Sequence, residues 1–363
     1  MTSLLLTTIL LITTLHQKGL TPFPIVTQAS SCLLNNPNTP QSTTTNSDSD
    51  DGLGRSHAYS FDADASHRPS WMASLSDERN LSSVSIPGTH DTMTHTLRNE
   101  THFWCQNHGL DVQLVAGMRY FDIRLRLRDD SLPIYHGSSD TNYTLPQVLD
   151  IMTRFLERYP SEALVVRVKD EGGPLGSNTM SFEDAFARDV KPFQRRVLPA
   201  HDPAQPLPSL GQVRGSIFLL QEFKSSRRRY GLEWEGPLMV LEDWWIVPNL
   251  SFLPVKWDKI RQAFKKAATQ PPSDNSHLYL SHISATGYEL LPVEAAAGPA
   301  NRSVSGLNDL TGTWLEHCRG KLPNSRVGIV ILDFPGRRAI DAVLDWNKQP
   351  PSSSRRRGIE SSC

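Results

Sequence analysis

Between Trp71 and Lys348, short β-rich apolar runs alternate with stretches of helical periodicity. This alternation limits the fold more than any other feature. Strand-like runs are Val84 to Ile86, Arg119 to Leu127, Ala163 to Val168, Ser216 to Phe223, Leu238 to Leu241, Leu278 to Ile283 and Val327 to Phe334. Helix-like stretches are Leu145 to Arg158, Phe182 to Val197, Asp258 to Ala268, Thr313 to Cys318 and Arg338 to Trp346. Strand–helix alternation in one body of this size indicates an α/β protein with a parallel sheet. Seven or eight strands suit a (β/α) barrel better than an open sheet. No GxGxxG follows the first strand, so a dinucleotide fold lacks its main sign.

The flanks read differently. An apolar run, Leu4 to Leu15, is too short to span a bilayer but suits the core of a signal peptide, and Thr27-Gln28-Ala29 offers a cleavage site. Residues 1–29 are therefore read as a signal peptide and residues 30–70, rich in Ser, Thr, Asn and Pro, as a disordered linker. Residues 71–348 form a single catalytic domain, and 349–363 a disordered tail. Five Asn-x-Ser/Thr sequons, at Asn80, Asn99, Asn142, Asn249 and Asn301, add mild support for a secreted glycoprotein. No other segment is long and apolar enough to cross a membrane. The 37 Lys+Arg against 38 Asp+Glu exclude the basic excess of a general nucleic-acid binder and a polybasic membrane anchor. Four scattered cysteines lack zinc-site spacing. If a bridge forms, Cys105–Cys318 is the expected pair, since both lie inside the folded body.

Polar residues gather where the strand-like runs end: His90-Asp91, Asp122 and Arg124, His136-Gly137, Lys169-Asp170-Glu171, Asp243-Trp244-Trp245 and Asp333. In a barrel of parallel strands these ends face one mouth, where active sites are built. Two histidines, several carboxylates, an Arg and a Lys converging there suit phosphoryl transfer to an internal hydroxyl. One imidazole takes the proton of the attacking hydroxyl and the other protonates the leaving oxygen. A cation meets the charge on the non-bridging oxygens, and a carboxylate fixes the tautomer of the base.

The stretches SIPGTHDT, GMRYFDIRLRLRDDSLPIYHG and VKDE resemble the X-domain of phosphatidylinositol-specific phospholipases C, from about Leu81 to Asp333. The likeness is closest to the bacterial-type, metal-independent branch, also found in fungi. It implies a distorted TIM barrel that cleaves phosphatidylinositol to diacylglycerol and a cyclic inositol phosphate. By that resemblance His90 is the general base and Asp333 the carboxylate that orients it. His136 is the general acid, assisted by Asp91. Arg124 binds the phosphate with Asp122 as its support, Lys169 and Asp243 contact inositol hydroxyls, and Trp245 stacks on the ring. The expected partner is a phospholipid headgroup at a membrane surface, met peripherally by a secreted monomer.

The calcium-dependent branch of the family has Asn after the first His and a Glu-x-Asp pair on the second strand. This chain has Asp91 and then Asp122-Ile123-Arg124, which puts a fixed cation where a divalent ion would sit. The site is read as metal-free and without a cofactor. One departure concerns specificity: Glu222 falls where bacterial enzymes carry a substrate-binding Arg, and an acidic residue there would not attract a phosphorylated headgroup. Two other readings compete. A glycerophosphodiester phosphodiesterase would show a His-Arg start and a Glu-x-Asn metal motif, which this chain lacks. A silent barrel that binds headgroups or glycans would not need both His90 and His136. His57, His67, His95, His102, His201, His277 and His317 are read as structural, and so are Gln106-Asn107-His108. Arg227-Arg228-Arg229 is read as a solvated loop face.

Overall fold

In the computed structural model, residues 59–271, 273–322, 326–348 and Cys363 are described, all within one compact unit, Asp51–Cys363. The signal-peptide reading, the linker up to residue 58, His57 and the tail from 349 to 362 lie outside the described residues.

Eight strands pair in parallel: β1 (Ile86–Thr89), β2 (Tyr120–Leu125), β5 (Leu164–Asp170), β6 (Ile217–Glu222), β7 (Leu232–Glu233), β8 (Met239–Glu242), β9 (Leu278–His282) and β10 (Ile329–Leu332). Their order is β7-β6-β5-β2-β1-β10-β9-β8. An antiparallel hairpin, β3 (Pro133–His136) and β4 (Ser139–Thr144), branches from the end of β2. Among the described residues no ladder joins β7 to β8, so the barrel is open along that seam.

Helices α1 (Leu110–Ala116), α2 (Leu145–Arg158), α3 (Phe182–Val190) and α4 (Leu210–Val213) connect the strands on one side. On the other side lie α5 (Leu253–Thr269), α6 (Pro292–Ala297), α7 (Leu307–Cys318) and α8 (Arg337–Leu344). No helix stands between β6, β7 and β8 among the described residues. This missing crossover accompanies the open seam and makes the barrel a distorted one.

The local chemistry explains the elements. In α2 the side chain of Gln147 accepts from the Thr144 amide at 2.9 Å, Pro146 occupies the first turn, and Leu145, Val148, Leu149, Met152, Phe155 and Leu156 form the buried stripe. α3 ends at Val190, short of the expected Val197, and a 3-10 turn carrying Pro192 follows. α5 starts five residues before the expected Asp258, because Pro254 is tolerated in a first turn.

Strand alternation sorts the core into layers. Phe121, Ile123, Val166 and Leu219 point outward against α2 and α3, and Val330 and Leu332 pack outward with α5, α7 and α8. Ile86, Tyr120, Val165, Leu220, Leu280 and Ile331 fill the interior. A Cβ on Gly88 would lie 2.5 Å from the Cβ of Tyr120, so only glycine lets that ring cross the barrel floor.

Two expectations need correction. The described residues begin at Tyr59, inside the stretch read as linker, and residues 59–70 are packed on the barrel. Their polar groups are used: Ser66 Oγ donates to Ala116 O at 2.7 Å, Arg119 Nη2 donates to Pro69 O at 2.8 Å, and the Phe61 amide donates to Phe334 O at 2.9 Å. The disulfide joins Cys318 to Cys363, leaving Cys105 free. Cys318 closes α7 in the outer layer, whereas Cys105 lies near the mouth with its sulfur 3.9 Å from His136 Nδ1.

Candidate active site

The interior face of each strand changes character toward its C-terminal end. On β2, Tyr120 is followed two residues later by Asp122 and then Arg124, and their register partners on β5 are Val165, Arg167 and Lys169. On β6, Leu220 gives way to Glu222, which is level with Lys169. Leu280 is followed by His282 on β9, and Ile331 by Asp333 just past β10. The apolar half closes the floor, and the charged half forms the mouth predicted from sequence.

His90 follows β1, where its amide donates to Leu332 O at 3.1 Å. Its Nδ1 lies 2.9 Å from Asp333 Oδ1, and its Nε2 lies 2.8 Å from Arg124 Nη2. Arginine can only donate, so Nε2 is the acceptor and the ring proton sits on Nδ1, facing the carboxylate. The next residue, Asp91, has φ +42°, a left-handed conformation that Asp tolerates. That turn sends its carboxylate back into the mouth, with Oδ2 3.0 Å from His90 Nε2 and 3.2 Å from His136 Nε2.

His136 arrives from the hairpin. Its Nδ1 lies 2.9 Å from Phe103 O and its Nε2 lies 3.2 Å from Asp91 Oδ2, so an oxygen faces each ring nitrogen. Gly137, at φ +58°, turns the hairpin, and a Cβ there would lie 2.8 Å from the Phe103 ring that packs on His136. The two imidazole centroids are 6.1 Å apart.

Arg124 is held from three sides. Nε lies 2.9 Å from Asp91 Oδ1 and donates to Asp122 Oδ2 at 3.1 Å, Nη2 donates to the same Asp122 oxygen at 3.0 Å, and Nη1 is 3.5 Å from Glu171 Oε1. Glu171 also accepts from the Gly137 amide at 2.9 Å and pairs with Lys169 Nζ at 2.9 Å. It therefore ties the acid's loop to the guanidinium.

Burial, with the Arg124 charge adding to it, pushes His90 well below the usual imidazole range. Burial likewise pushes the Asp333 carboxyl well up, helped by the charge of Asp91. Both shifts disfavour separated charge in the His90–Asp333 pair. Burial raises Asp91 to about 6 despite the opposing pull of Arg124 and His136. Burial would raise Asp122 too, but Arg124 and Arg167 outweigh it and hold that carboxyl well below its usual range.

The structure thus brings together His90, Asp91, Asp122, Arg124, His136 and Asp333. Lys169 stands beside them through Glu171. Asp243 follows β8 with Oδ1 3.9 Å from His282 Nδ1. Glu222 is engaged by Arg167, whose Nε donates to its Oε2 at 2.6 Å. Trp245 stands 51% exposed on the rim after β8, and among the described residues its ring stacks on no site histidine. Sequence reading missed Arg167, His282 and Trp234, and placed Glu171 at the mouth without a role. His282 is buried, pushed down to about 4 chiefly by that burial, with its ring centroid 5.6 Å from His90 and 6.1 Å from Trp234. The signal was present: Arg167 and His282 occupy the inward positions two residues beyond Val165 and Leu280. Of the histidines read as structural, His108 pairs with Asp64 at 3.3 Å away from the mouth.

Ligand atoms of His90, Asp91 and Cys105 lie within 4.8 Å of one another, a spacing that could hold a metal ion. Arg124 already places its positive charge against two of these three residues.

No protein-family model matches the chain. The 1-phosphatidylinositol phosphodiesterase of Listeria monocytogenes is 32% identical over 298 residues, 77% of this chain and 84% of that protein. A human protein, PI-PLC X domain-containing protein 1, is 27% identical over 215 residues, 48% of this chain and 62% of its own length. Among solved structures, the phosphatidylinositol-specific phospholipase C of Listeria monocytogenes superposes with a TM-score of 0.62 at 31% identity, covering 78% of this chain and all of that one. A Staphylococcus aureus phosphatidylinositol-specific phospholipase C has the same fold, with a TM-score of 0.61 at 21% identity over 79% of this chain and all of that one.

Proposed function

This chain belongs to the phosphatidylinositol-specific phospholipase C family, and from that premise we propose that it cleaves phosphatidylinositol to diacylglycerol and a cyclic inositol phosphate. The observation that carries the reading is the pair of imidazoles flanking Asp91 Oδ2 with a guanidinium between strands β1 and β2. His90 Nε2 takes the proton of the inositol 2-hydroxyl, and Asp333 steadies the imidazolium that results. His136, aligned by Asp91 and Phe103 O, protonates the departing glycerol oxygen. Arg124 turns its N–H groups to the non-bridging oxygens, with Asp122 fixing its plane. Lys169, Asp243 and Glu222 line the part of the mouth where ring hydroxyls are met, and Trp245 covers the ring from the rim.

The enzyme works at a lipid surface. No helix among the described residues is long and apolar enough to cross a membrane. Trp245, Ile246 and Tyr288 are exposed, and the Thr286 amide donates to Trp245 O at 3.0 Å, joining the loops after β8 and β9 into one rim. Such a rim suits peripheral contact by a monomer, which gel filtration checks. Export and glycosylation accord with Asn99, Asn142 and Asn301 being exposed. A mobility shift of supernatant protein with endoglycosidase tests this.

The deciding experiment is a headgroup panel in mixed micelles, assayed for diacylglycerol and for cyclic phosphate. Phosphatidylinositol is expected to yield both. Turnover of glycerophosphodiesters alone, or none at all, overturns the proposal.

A further inference from the structure

Arg167 stands on β5 at the inward position level with Asp122. Its side chain is only 5% exposed. Nη1 reaches Asp122 at 3.4 Å to Oδ1 and 3.5 Å to Oδ2. On the opposite side Nε and Nη2 grip Glu222 Oε2, the former at 2.6 Å. The guanidinium carbon lies 4.1 Å from the centroid of the Trp234 ring, whose other neighbour is His282. Stacking and a two-point carboxylate grip leave this side chain no freedom to turn.

Asp122 is thus clamped between two guanidiniums. Arg124 takes Oδ2 with Nε and Nη2, and the Asp91 amide donates to the same oxygen at 3.2 Å. The free side of the carboxylate is the one that Arg167 meets. Oδ1 is buried and accepts no hydrogen bond among the described residues, so the Arg167 charge 3.4 Å away is what balances it, and without that charge the carboxylate would hold a bare buried anionic oxygen.

We propose that Arg167 is a positioning residue: braced by Glu222 and Trp234, it fixes Asp122, and through Asp122 it fixes the plane of Arg124. This rests on the phosphodiester-cleaving reading of the same site. It also assigns Glu222 a role different from hydroxyl recognition alone. The carboxylate at the end of β6 is the anchor of a charge relay, Glu222–Arg167–Asp122–Arg124, that runs across three strands. Arg167 does not touch substrate, because its donors are directed at the two carboxylates and its face is covered by Trp234.

The test replaces Arg167 by Met, which keeps the packing on Trp234 and removes the charge. A displacement of Arg124 by about 1 Å costs on the order of 10²-fold. We expect kcat for phosphatidylinositol to fall by ~10²-fold with KM within about 3-fold, and Arg167→Lys to recover part of the loss. In an Arg124→Gln background the Arg167→Met change should cost less than about 2-fold, since its route is already cut. A multiplicative loss in that background, or a rise in KM with kcat intact, overturns the proposal. Should Arg167→Met fail to fold, Glu222→Gln releases the anchor from a carboxylate that is 31% exposed and carries the same cycle. A readout without turnover separates this proposal from the reading it rests on. In the substrate-free protein the imidazole 15N resonance of His90 Nε2 should move toward that of a free unprotonated nitrogen in Arg167→Met, as Arg124 loosens. An unchanged resonance refutes the relay whether or not the wild type cleaves lipid.

Discussion

Arg124→Lys keeps the charge and removes the fork, so it isolates what geometry contributes. In the protein the guanidinium makes contacts of 2.9 Å to Asp91, 3.0 and 3.1 Å to Asp122, 2.8 Å to His90 and 3.5 Å to Glu171. These directions span a plane. An ammonium has three donors on one atom and a shorter reach, so it can satisfy Asp122 or Asp91 well, but not both while facing a phosphate. In the transition state the loss is at least one charge-assisted donor to a non-bridging oxygen. Removing one such donor costs about 2.7–4 kcal/mol, or ~10²–10³ in kcat. The fold should survive, because the buried carboxylates keep a cation near them. Losing one or two hydrogen bonds between charged groups costs roughly 1.5–3 kcal/mol each. Initial rates over a range of phosphatidylinositol mole fractions, with Tm measured on the same preparations, give kcat, KM and the folded fraction. We expect kcat to drop by ~10²–10³ and KM to change little. A folded Arg124→Lys enzyme with more than about a tenth of wild-type kcat would refute the reasoning and leave Arg124 as a point charge.

The remaining predictions are briefer. His90→Ala and His136→Ala should each fold and each lose ~10²–10⁴-fold in kcat, and a variant keeping more than about a tenth of the activity loses its assigned role. Asp91 is raised by burial from 3.8 to about 6, so its contribution to stability is fully present below pH 3.8 and lost as pH rises through about 6. Asp91→Asn should therefore have a higher Tm than wild type at pH 8, with the gap closing or reversing by pH 4, and Tm values that run parallel across that range contradict the assignment. Activity should be unchanged within about 2-fold after exhaustive EGTA and EDTA, since Arg124 supplies the positive charge. Loss on chelation with rescue by a divalent ion would direct attention to His90, Asp91 and Cys105 as ligands.

Much of the architecture was legible because local rules and tertiary demands agree. The bounds of α2 follow from Thr144, Pro146 and Gln147 at one end and from an unbroken apolar stripe along its length. His90, Lys169 and Asp333 sit at or just past the ends of parallel strands, which parallel topology gathers without further information, whereas His136 is brought in by the antiparallel hairpin. Arg167 was harder to read because Val166 and Val168 around it make the segment read as plain apolar strand. Only the inward alternation of Val165, Arg167 and Lys169 marks it, and a single strand does not say which face is inward. The disulfide was illegible for another reason. Pairing depends on where the chain end meets α7, and nothing local at Cys318 or Cys363 encodes that meeting. The polar composition of residues 59–70 suggested a linker, yet those residues are held to the barrel by side-chain and backbone hydrogen bonds that composition does not register.

The charge inventory of the mouth gives a reason for the unusual carboxyls. Arg124, Arg167 and Lys169 share the mouth with Asp91, Asp122, Glu171, Glu222, Asp243 and Asp333. Were all six acids ionised, the pocket would carry an excess of negative charge and would repel a phosphodiester. Burial resists that outcome most strongly at Asp91 and Asp333, the two acids in contact with His90, whereas Asp122 and Glu171 are held ionised by the cations around them. In the proposed reaction, a phosphate that drew Arg124 toward itself would free His90 Nε2 from its 2.8 Å hydrogen bond to that guanidinium. In that reaction the event that binds the anion would then also expose the base, coupling proton abstraction to occupancy of the phosphate position.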